Sequence, residues 1–251
     1  MLHIGIYVVY LLDAFTLKDS MVCGNALRAT GDDAATMKDV AGRIVDHLFD
    51  HLIDSASQKP ACALVRLFKT HPLGDLPEHL QRFAQQMLDP EPARSEMRCL
   101  TLLGTRGIEA EWSQSLRSRN HQAIPLSSEA FVRRAPMISQ LMKQLGLEIG
   151  MALNPDHNLL LDVAKTTFNV FYVENALGSP FIPAQDDFVR AHAIQSVIGF
   201  GGMLPSGSLF AVILFTKVKI PRSVAELFKP LALEAKLALL NYENRVFKVN
   251  D

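Results

Sequence analysis

Two histidines four residues apart are the first candidates for chemistry. His47 and His51 lie in the segment DHLFDHLID, where apolar residues recur with helical spacing. On a helix these positions share a face, so the two imidazoles can approach one metal ion. No glutamate follows the first histidine, as the zinc-protease pattern HExxH requires. Asp46, Asp50 and Asp54 share the polar face, so we favour a solvated helix face and keep a metal-dependent hydrolase as the alternative.

A glycine-rich stretch, IGFGGMLPSGSLF at 198–210, raises the question of a phosphate-binding loop. The Walker pattern needs a lysine that is missing here, and the dinucleotide pattern needs a third glycine and a following helix. The tripeptide PSG is typical of a turn between two strands, which predicts a β-hairpin over 196–216. Gly199, Gly201 and Gly202 then lie within a strand, where glycine indicates either close packing or a bulge, or the close approach of a ligand.

Other polar residues give weaker indications of a site. His71 and His121 each lie in a predicted loop and can face a pocket, and His121 is favoured because it adjoins Gln122 in an unusually long loop. No GxSxG nucleophile motif occurs in the sequence. Asp186 and Asp187 are adjacent, but they begin a predicted helix, where negative charge favours the helix dipole. We therefore expect no enzymatic activity.

The elements that must position these residues follow from hydrophobic periodicity and turn signals. Helices are predicted over 36–54, 78–88, 135–150, 156–165, 186–193 and 222–246, the last kinked at Pro230. Strands are predicted over 61–70, 97–107, 168–175, 196–204 and 208–220. Because the late strands are adjacent in sequence, the order predicts an α+β fold, an antiparallel sheet with helices packed on it. The helices near both chain ends are expected on one face of that sheet.

Composition limits the classes of function. The chain has 251 residues, a formal net charge of -1 and 49% hydrophobic residues, which is typical of a globular domain and not of a nucleic-acid-binding surface. Its three cysteines, Cys23, Cys62 and Cys99, have no CxxC spacing. They argue against a disulfide framework and a zinc knuckle, and they suit a reducing cytoplasm.

The N-terminal segment HIGIYVVYLLDAF contains an apolar run from Ile4 to Leu12. This run is much shorter than the roughly 20 residues that a membrane-spanning helix needs. No basic residue precedes Lys18, so a signal peptide is not indicated. We favour a buried or dimer-facing segment, with a true start at Met21 and an export or membrane role as alternatives.

Several segments carry a resemblance to a known family. The hairpin SVIGFGGMLPSGSLFAVILFTKVKI is similar to the last strand pair of GAF-like sensory domains. The segments CALVRLFKTHP, RNHQAIPL, PMISQLMKQLGLE and FNVFYVENALGSPFIPAQDDFV resemble the amino-terminal sensor regions of bacterial signalling proteins, which precede PAS, histidine-kinase or cyclase modules. The resemblance covers 36–243, and it implies an N-terminal extension over 1–35 and a C-terminal tail over 244–251.

This resemblance implies a sensor of small molecules that acts in bacterial signal transduction. We also expect a cytoplasmic homodimer that associates through the terminal helices, because their apolar faces exceed what one small sheet can cover. No output module follows in the sequence, so we expect output through a partner protein. The ligand and any cofactor are unknown, and no cysteine lies at an evident bilin-attachment position. A scaffold whose pocket is filled by its own phenylalanines is the alternative.

The pocket is expected between the sheet and the segments 108–135 and 174–185. There a ligand would favour one arrangement of the helices. The candidate ligand-binding residues are His121, Gln122, Phe171, Tyr172, Gly201 and Gly202.

Overall fold

The computed structural model describes residues 8–88, 92–114, 121–154 and 169–248. Its centre is a six-stranded antiparallel sheet with the strand order β5-β4-β3-β8-β7-β6. The six strands are β3 (Cys62–Pro72), β4 (Arg98–Gly107), β5 (Ala123–Pro125), β6 (Val170–Val173), β7 (Ser196–Met203) and β8 (Leu209–Thr216). Two short strands, β1 (Tyr10–Leu11) and β2 (Leu52–Ile53), form a separate parallel pair. The predicted α+β class is confirmed.

One face of the sheet is covered by the helices near the two chain ends, as expected. These are α1 (Leu17–Ala29), α2 (Met37–His51) and the C-terminal pair α7 (Arg222–Glu226) and α8 (Lys229–Leu240). They share one hydrophobic core with Val65, Leu67, Val212 and Leu214 of the central strands. Side chains two apart on a strand point to the same face, so this core takes Val65 and Leu67 of β3 and the even-numbered residues of β8.

Helix α2 begins where its sequence predicts. The Thr36 hydroxyl accepts a hydrogen bond from the Asp39 backbone N–H, and the Asp39 carboxylate accepts one from the Thr36 N–H. This reciprocal capping box satisfies two backbone donors that the first turn leaves free. The apolar positions predicted from the periodicity are buried over the length of the helix.

The opposite face of the sheet is covered by shorter elements. They are α4 (Glu129–Arg133), α5 (Pro136–Gln144), α6 (Ile149–Leu153) and a π-helical segment at Gln185–Arg190. A second hydrophobic core joins them to Leu100, Leu102, Ile213 and Phe215. Helix α3 (Glu78–Leu88) packs beside β5 at the sheet edge over a small third core. The helix predicted over 156–165 lies outside the described residues.

The predicted turn at Gly207 and the predicted helix interruption at Pro230 are confirmed, and a second glycine turn follows α5. Gly207 has a φ of 75° in the turn between β7 and β8, and Gly146 has a φ of 73° just beyond α5. Both values lie in the left-handed region that glycine adopts without strain. The C-terminal helix is interrupted before Pro230, which occupies the first turn of α8. Proline is tolerated there because a first-turn N–H has no helical partner.

The chain ends belong to the packed domain over their described parts. Helix α1, which the sequence analysis did not predict, packs against α8. Tyr10, Leu12 and Phe15 are buried in the same core. At the other end, the Arg245 carbonyl accepts a hydrogen bond from the Met37 N–H. Within the described residues, no helix combines the length and apolar character that crossing a bilayer requires.

Candidate functional site

A cavity of about 310 Å³ lies between the second face of the sheet and the segments that cover it. We call it the Arg66 cavity. Its floor is formed by β3, β4, β5 and β8, and its roof by residues 131–141 with Pro183 at one side. The apolar lining consists of Phe68, Met87, Leu100, Ile124, Phe131, Ala135, Pro136, Met137, Ile138, Leu141, Pro183, Ile213 and Phe215. The position agrees with the expected one, between the sheet and the loops.

Arg66 is the one cation among the described residues that line this cavity. It lies in the middle of β3, opposite Thr105 of β4 and Ile213 of β8. No ion pair joins it to an acidic side chain within the described residues, and its Nε atom is buried without a hydrogen-bond partner. Burial lowers the pKa of the guanidinium to about 10, so it stays protonated at neutral pH. A buried charge without a partner is unfavourable, so an anionic partner would be strongly favoured here.

His121 is the second polar residue of the lining. It stands at the exposed edge of the cavity, next to the strand β5. Desolvation by its surroundings, and secondly the positive charge of Arg66, lower the pKa of the imidazole to about 4. The ring is therefore neutral at physiological pH and offers one donor and one acceptor nitrogen. A guanidinium and a neutral imidazole in an apolar cavity suit a small apolar molecule that carries one acidic group.

The other predicted site residues do not line this cavity. Phe171 is fully buried in the core on the cavity side of the sheet, where it packs against Gly199. Tyr172 points to the opposite face, and its hydroxyl donates to the Ile220 carbonyl. Gln122 lies beside His121, and the backbone carbonyl of Gln122 accepts a hydrogen bond from the backbone N–H of Leu102. Of the six predicted ligand-binding residues, only His121 lines the cavity.

The strand glycines have a packing role in the structure. A Cβ atom on Gly201 would lie 2.2 Å from the Phe210 carbonyl oxygen of the paired strand. On Gly199 it would lie 3.2 Å from the Phe171 side chain. Gly202 has its nearest such neighbour, the Phe210 ring, at 3.9 Å. These contacts favour the packing interpretation of the glycines over the approach of a ligand, and neither Gly201 nor Gly202 lines the cavity.

The histidine pair of α2 forms a stacked structural unit. The rings of His47 and His51 are parallel within 21°, with centroids 4.2 Å apart. The Tyr10 hydroxyl lies 3.5 Å from His47 Nε2. Arg106 pairs with Asp46 and Asp50, so these carboxylates are engaged elsewhere. No group of three or more metal-ligating side chains occurs among the described residues.

Arg66 was missed by the sequence analysis. The signal was present, because it is the single charged residue within the apolar run ACALVRLF that was predicted as a strand. When both faces of a sheet are covered, a charged side chain on an inner strand cannot reach solvent. An arginine in that position is therefore an indication of a ligand or of an ion pair.

The comparisons concern the fold. No protein-family model and no curated protein sequence matches the chain. Fifteen chains of solved structure do match it. They include fRMsr of Staphylococcus aureus in its reduced form, with 9% identity, a TM-score of 0.47, and coverage of 88% of this chain and 95% of that one. A GAF domain from an Acinetobacter phosphoenolpyruvate-protein phosphotransferase has 10% identity, a TM-score of 0.45, and coverage of 91% and 96%.

A third match is the phycoerythrobilin-bound GAF domain from a cyanobacterial phytochrome. It has 11% identity, a TM-score of 0.39, and coverage of 92% of this chain and all of that one. The likeness to GAF domains that the sequence indicates is thus found among the structural matches as well. At these identities and TM-scores it concerns the general arrangement of the fold alone.

Proposed function

We propose that this chain is a GAF-like regulatory domain that binds a small apolar molecule with one acidic group in the Arg66 cavity. The observation that carries the proposal is Arg66, whose Nε atom is buried without a hydrogen-bond partner in a cavity that is apolar apart from this residue and His121. A carboxylate or sulfonate on the ligand would pair with Arg66 and accept bonds from its planar fork of donors. The ligand's apolar body would be held by Phe131, Met137 and Phe215.

Binding, and not catalysis, is the activity proposed for this cavity. Its described lining contains no serine, threonine, cysteine, aspartate or glutamate, so it offers no side chain of the usual nucleophile or carboxylate-base types. A bound ligand would contact both the rigid sheet and the short helices α4 and α5. It would favour the arrangement in which these helices close over it, and this shift of population is the proposed signal.

We further propose that the domain acts as a homodimer and transmits its signal to a partner protein. Leu17 and Met21 lie one turn apart on α1, and their exposed fractions are 62% and 65%. Apolar side chains that are exposed together on one helix face favour association. The three cysteines are free and buried, which suits a reducing compartment such as the cytoplasm.

The test uses anilinonaphthalene sulfonate, a fluorescent probe with an apolar ring system and one sulfonate group. We expect the folded protein to bind it, and we expect Arg66→Met to weaken this binding by about tenfold or more, since a charge-assisted hydrogen bond contributes roughly 1.5–3 kcal/mol. Native mass spectrometry of protein purified without added ligand shows whether a natural ligand is retained.

Arg106→Met is the matched control, because Arg106 lies in the same sheet and contacts Phe49 and the acidic residues of α2. This variant is expected to bind the probe like the unmodified protein. Equal probe binding by the unmodified protein and by Arg66→Met would overturn the proposal. Failure of the unmodified protein to bind the probe or to retain any ligand would favour the scaffold alternative.

A further inference from the structure

A second, larger cavity of about 850 Å³ lies at the other face of the sheet. It is enclosed by the end of β3, the start of β4, the turn between β7 and β8, and residues 240–247 after α8. We call it the hairpin-end cavity. Among the described residues, none that lines the Arg66 cavity also lines this one. The two cavities are therefore separate sites.

Lys69 and His71 form the buried part of the hairpin-end cavity. They are two residues apart on β3 and so share a face, and each is only 4% exposed. The Lys69 ammonium has one hydrogen bond among the described residues, a long one of 3.4 Å to the Thr70 carbonyl. Neither ring nitrogen of His71 has a hydrogen-bond partner of ordinary geometry, although the Lys69 backbone lies nearby. Buried polar groups without partners are rare in folded proteins, so these groups are suited to accept a further partner.

Further donors line the same cavity. Arg98 lies at the start of β4, opposite Pro72 of β3, and its Nη1 atom is 3.5 Å from the Ser208 hydroxyl. Ser206 adds a second hydroxyl, which bonds to Ser208 at 3.1 Å. Lysine, arginine, imidazole and serine donors around one space are the groups that bind oxyanions.

The acidic residues of the lining act on the buried cations from a distance and form no direct ion pair with them in the described structure. Asp75 is exposed, and Glu243 is partly exposed and bonds to the Ser206 hydroxyl. Neither carboxylate lies within ion-pair distance of Lys69 or Arg98 in the described structure. Burial lowers the pKa of Lys69 to about 8, so the ammonium form still predominates at neutral pH. The inner end of the cavity is thus buried and positively charged, and its rim carries charges of both signs.

We propose that the hairpin-end cavity binds the phosphate group of a small phosphomonoester through Lys69, His71, Arg98 and Ser208. These side chains supply more hydrogen-bond donors than the two oxygens of one carboxylate can accept. A phosphate group offers three or four acceptor oxygens and up to two negative charges. The volume of about 850 Å³ exceeds what a free phosphate ion needs, which leaves room for an organic group toward the exposed rim. This site is independent of the function proposed for the Arg66 cavity.

The test is calorimetric titration of the full chain with glycerol 3-phosphate and, separately, with inorganic phosphate. We expect both to bind, the monoester more tightly, because its organic group adds contacts. Lys69→Met and Arg98→Gln are each expected to weaken binding by about tenfold or more. The histidine NMR signals supply a second readout, since His71 should shift on binding of phosphate in the unmodified protein.

Lys219→Met is the matched control, because Lys219 is exposed and pairs with Glu174 away from the cavity. It should bind both compounds like the unmodified protein, and so should Arg66→Met. Lys69→Met keeps the length of the side chain and removes a buried charge, so an unchanged or raised thermal midpoint shows that it is folded.

Absence of binding at millimolar phosphomonoester, unweakened binding by Lys69→Met, or equal binding of acetate would overturn the proposal. Tighter binding of inorganic phosphate than of the monoester would overturn the assignment of the organic group.

Discussion

At the scale of single residues, strand β3 carries two buried cations on opposite faces of the sheet. Arg66 faces the cavity beneath α4 and α5, whereas Lys69 faces the cavity beside the end of α8. Neither forms an ion pair with a described acidic side chain. Each therefore carries the free-energy cost of removing a charge from water without a partner in the folded chain. A ligand anion would offset that cost, which is why both residues are assigned to binding sites.

His47 predicts how stability responds to acid. Burial, and secondly the neighbouring His51, lower the pKa of His47 to about 4 in the folded protein, compared with about 6.5 in an unfolded chain. Below pH 6.5 the unfolded chain binds a proton at His47 that the folded protein does not bind. The contribution of neutral His47 to the free energy of unfolding is therefore complete at neutral pH and is lost as the pH falls from 6.5 toward 4. By pH 5 we expect a loss of roughly 1–2 kcal/mol from this residue.

The measurement is urea unfolding at pH 7 and pH 5 for the unmodified protein and for His47→Gln. The glutamine variant is expected to lose roughly 1–2 kcal/mol less than the unmodified protein between the two pH values. The same loss in both proteins would show that His47 does not contribute to acid sensitivity. As a control, the slope of the unfolding free energy against urea concentration should be the same at both pH values. An equal slope shows that the same unfolding process is measured at each pH.

At the scale of elements, the packing of α2 on β4 depends on one glycine. A Cβ atom on Gly104 would lie 2.5 Å from the Ala41 carbonyl oxygen of the helix. Because that atom is backbone, relief would require the helix to move away from the sheet. Close approach at this point allows the buried face of α2 to contact β3 and β4 along its length. Gly104 lies within β4, and the close approach of the helix backbone accounts for a glycine at this position.

Two glycine-to-alanine variants test this packing, with opposite expected signs. Gly104→Ala should destabilise the protein by about 2 kcal/mol, because the new methyl group overlaps a rigid carbonyl. Gly42→Ala is the control, since a Cβ there meets no atom within 4 Å and lies inside a helix. It should stabilise the protein by about 0.5–1 kcal/mol through helix propensity. Thermal and urea unfolding measure both changes, and a neutral Gly104→Ala would contradict the proposed close contact.

At the scale of the whole molecule, we propose that the domain associates through its terminal helices. Helices α1 and α8 pack against each other and close the core on one face of the sheet. The outer side of α1 still exposes Leu17 and Met21. A second copy of this chain is the occupant we propose for this surface, because the two exposed apolar side chains lie on one face of the helix.

Sedimentation velocity over a series of protein concentrations tests the dimer. The unmodified chain is expected to sediment as a dimer, and Leu17→Glu with Met21→Glu should raise the dissociation constant by about tenfold or more, since each charge would be desolvated at the interface. Leu177→Glu is the control, because Leu177 is 57% exposed in a loop away from α1 and should leave the dimer intact. A monomer at every concentration, or a dimer that tolerates the double variant, would refute the proposal.

Local patterns in the sequence were sufficient for most of the elements. The amphipathic period places α2, and the capping residues Thr36 and Asp39 begin it. The PSG turn places the β7–β8 hairpin, and Pro230 interrupts the C-terminal helix. Each of these features depends on residues within a few positions of one another, so helix period, turn chemistry and proline geometry predict them. Helix α1 was missed because its apolar residues do not all lie on one face: Leu17 and Met21 are exposed, whereas Cys23 and Leu27 are buried. The burial of that second set depends on the packing against α8.

The positions of the two cavities were decided by the tertiary structure. Arg66, His121 and Phe215 are far apart in the chain, and the pairing of β3 with β8 brings their segments together. Likewise, Lys69 meets Arg98 and the residues after α8 only when the sheet and the terminal helix have assembled. Sequence patterns report which side chains are apolar and how often they recur, but they do not report long-range strand pairing. The predicted residues Phe171 and Tyr172 show this directly, because pairing with β7 places one in the core and the other on the opposite face of the sheet.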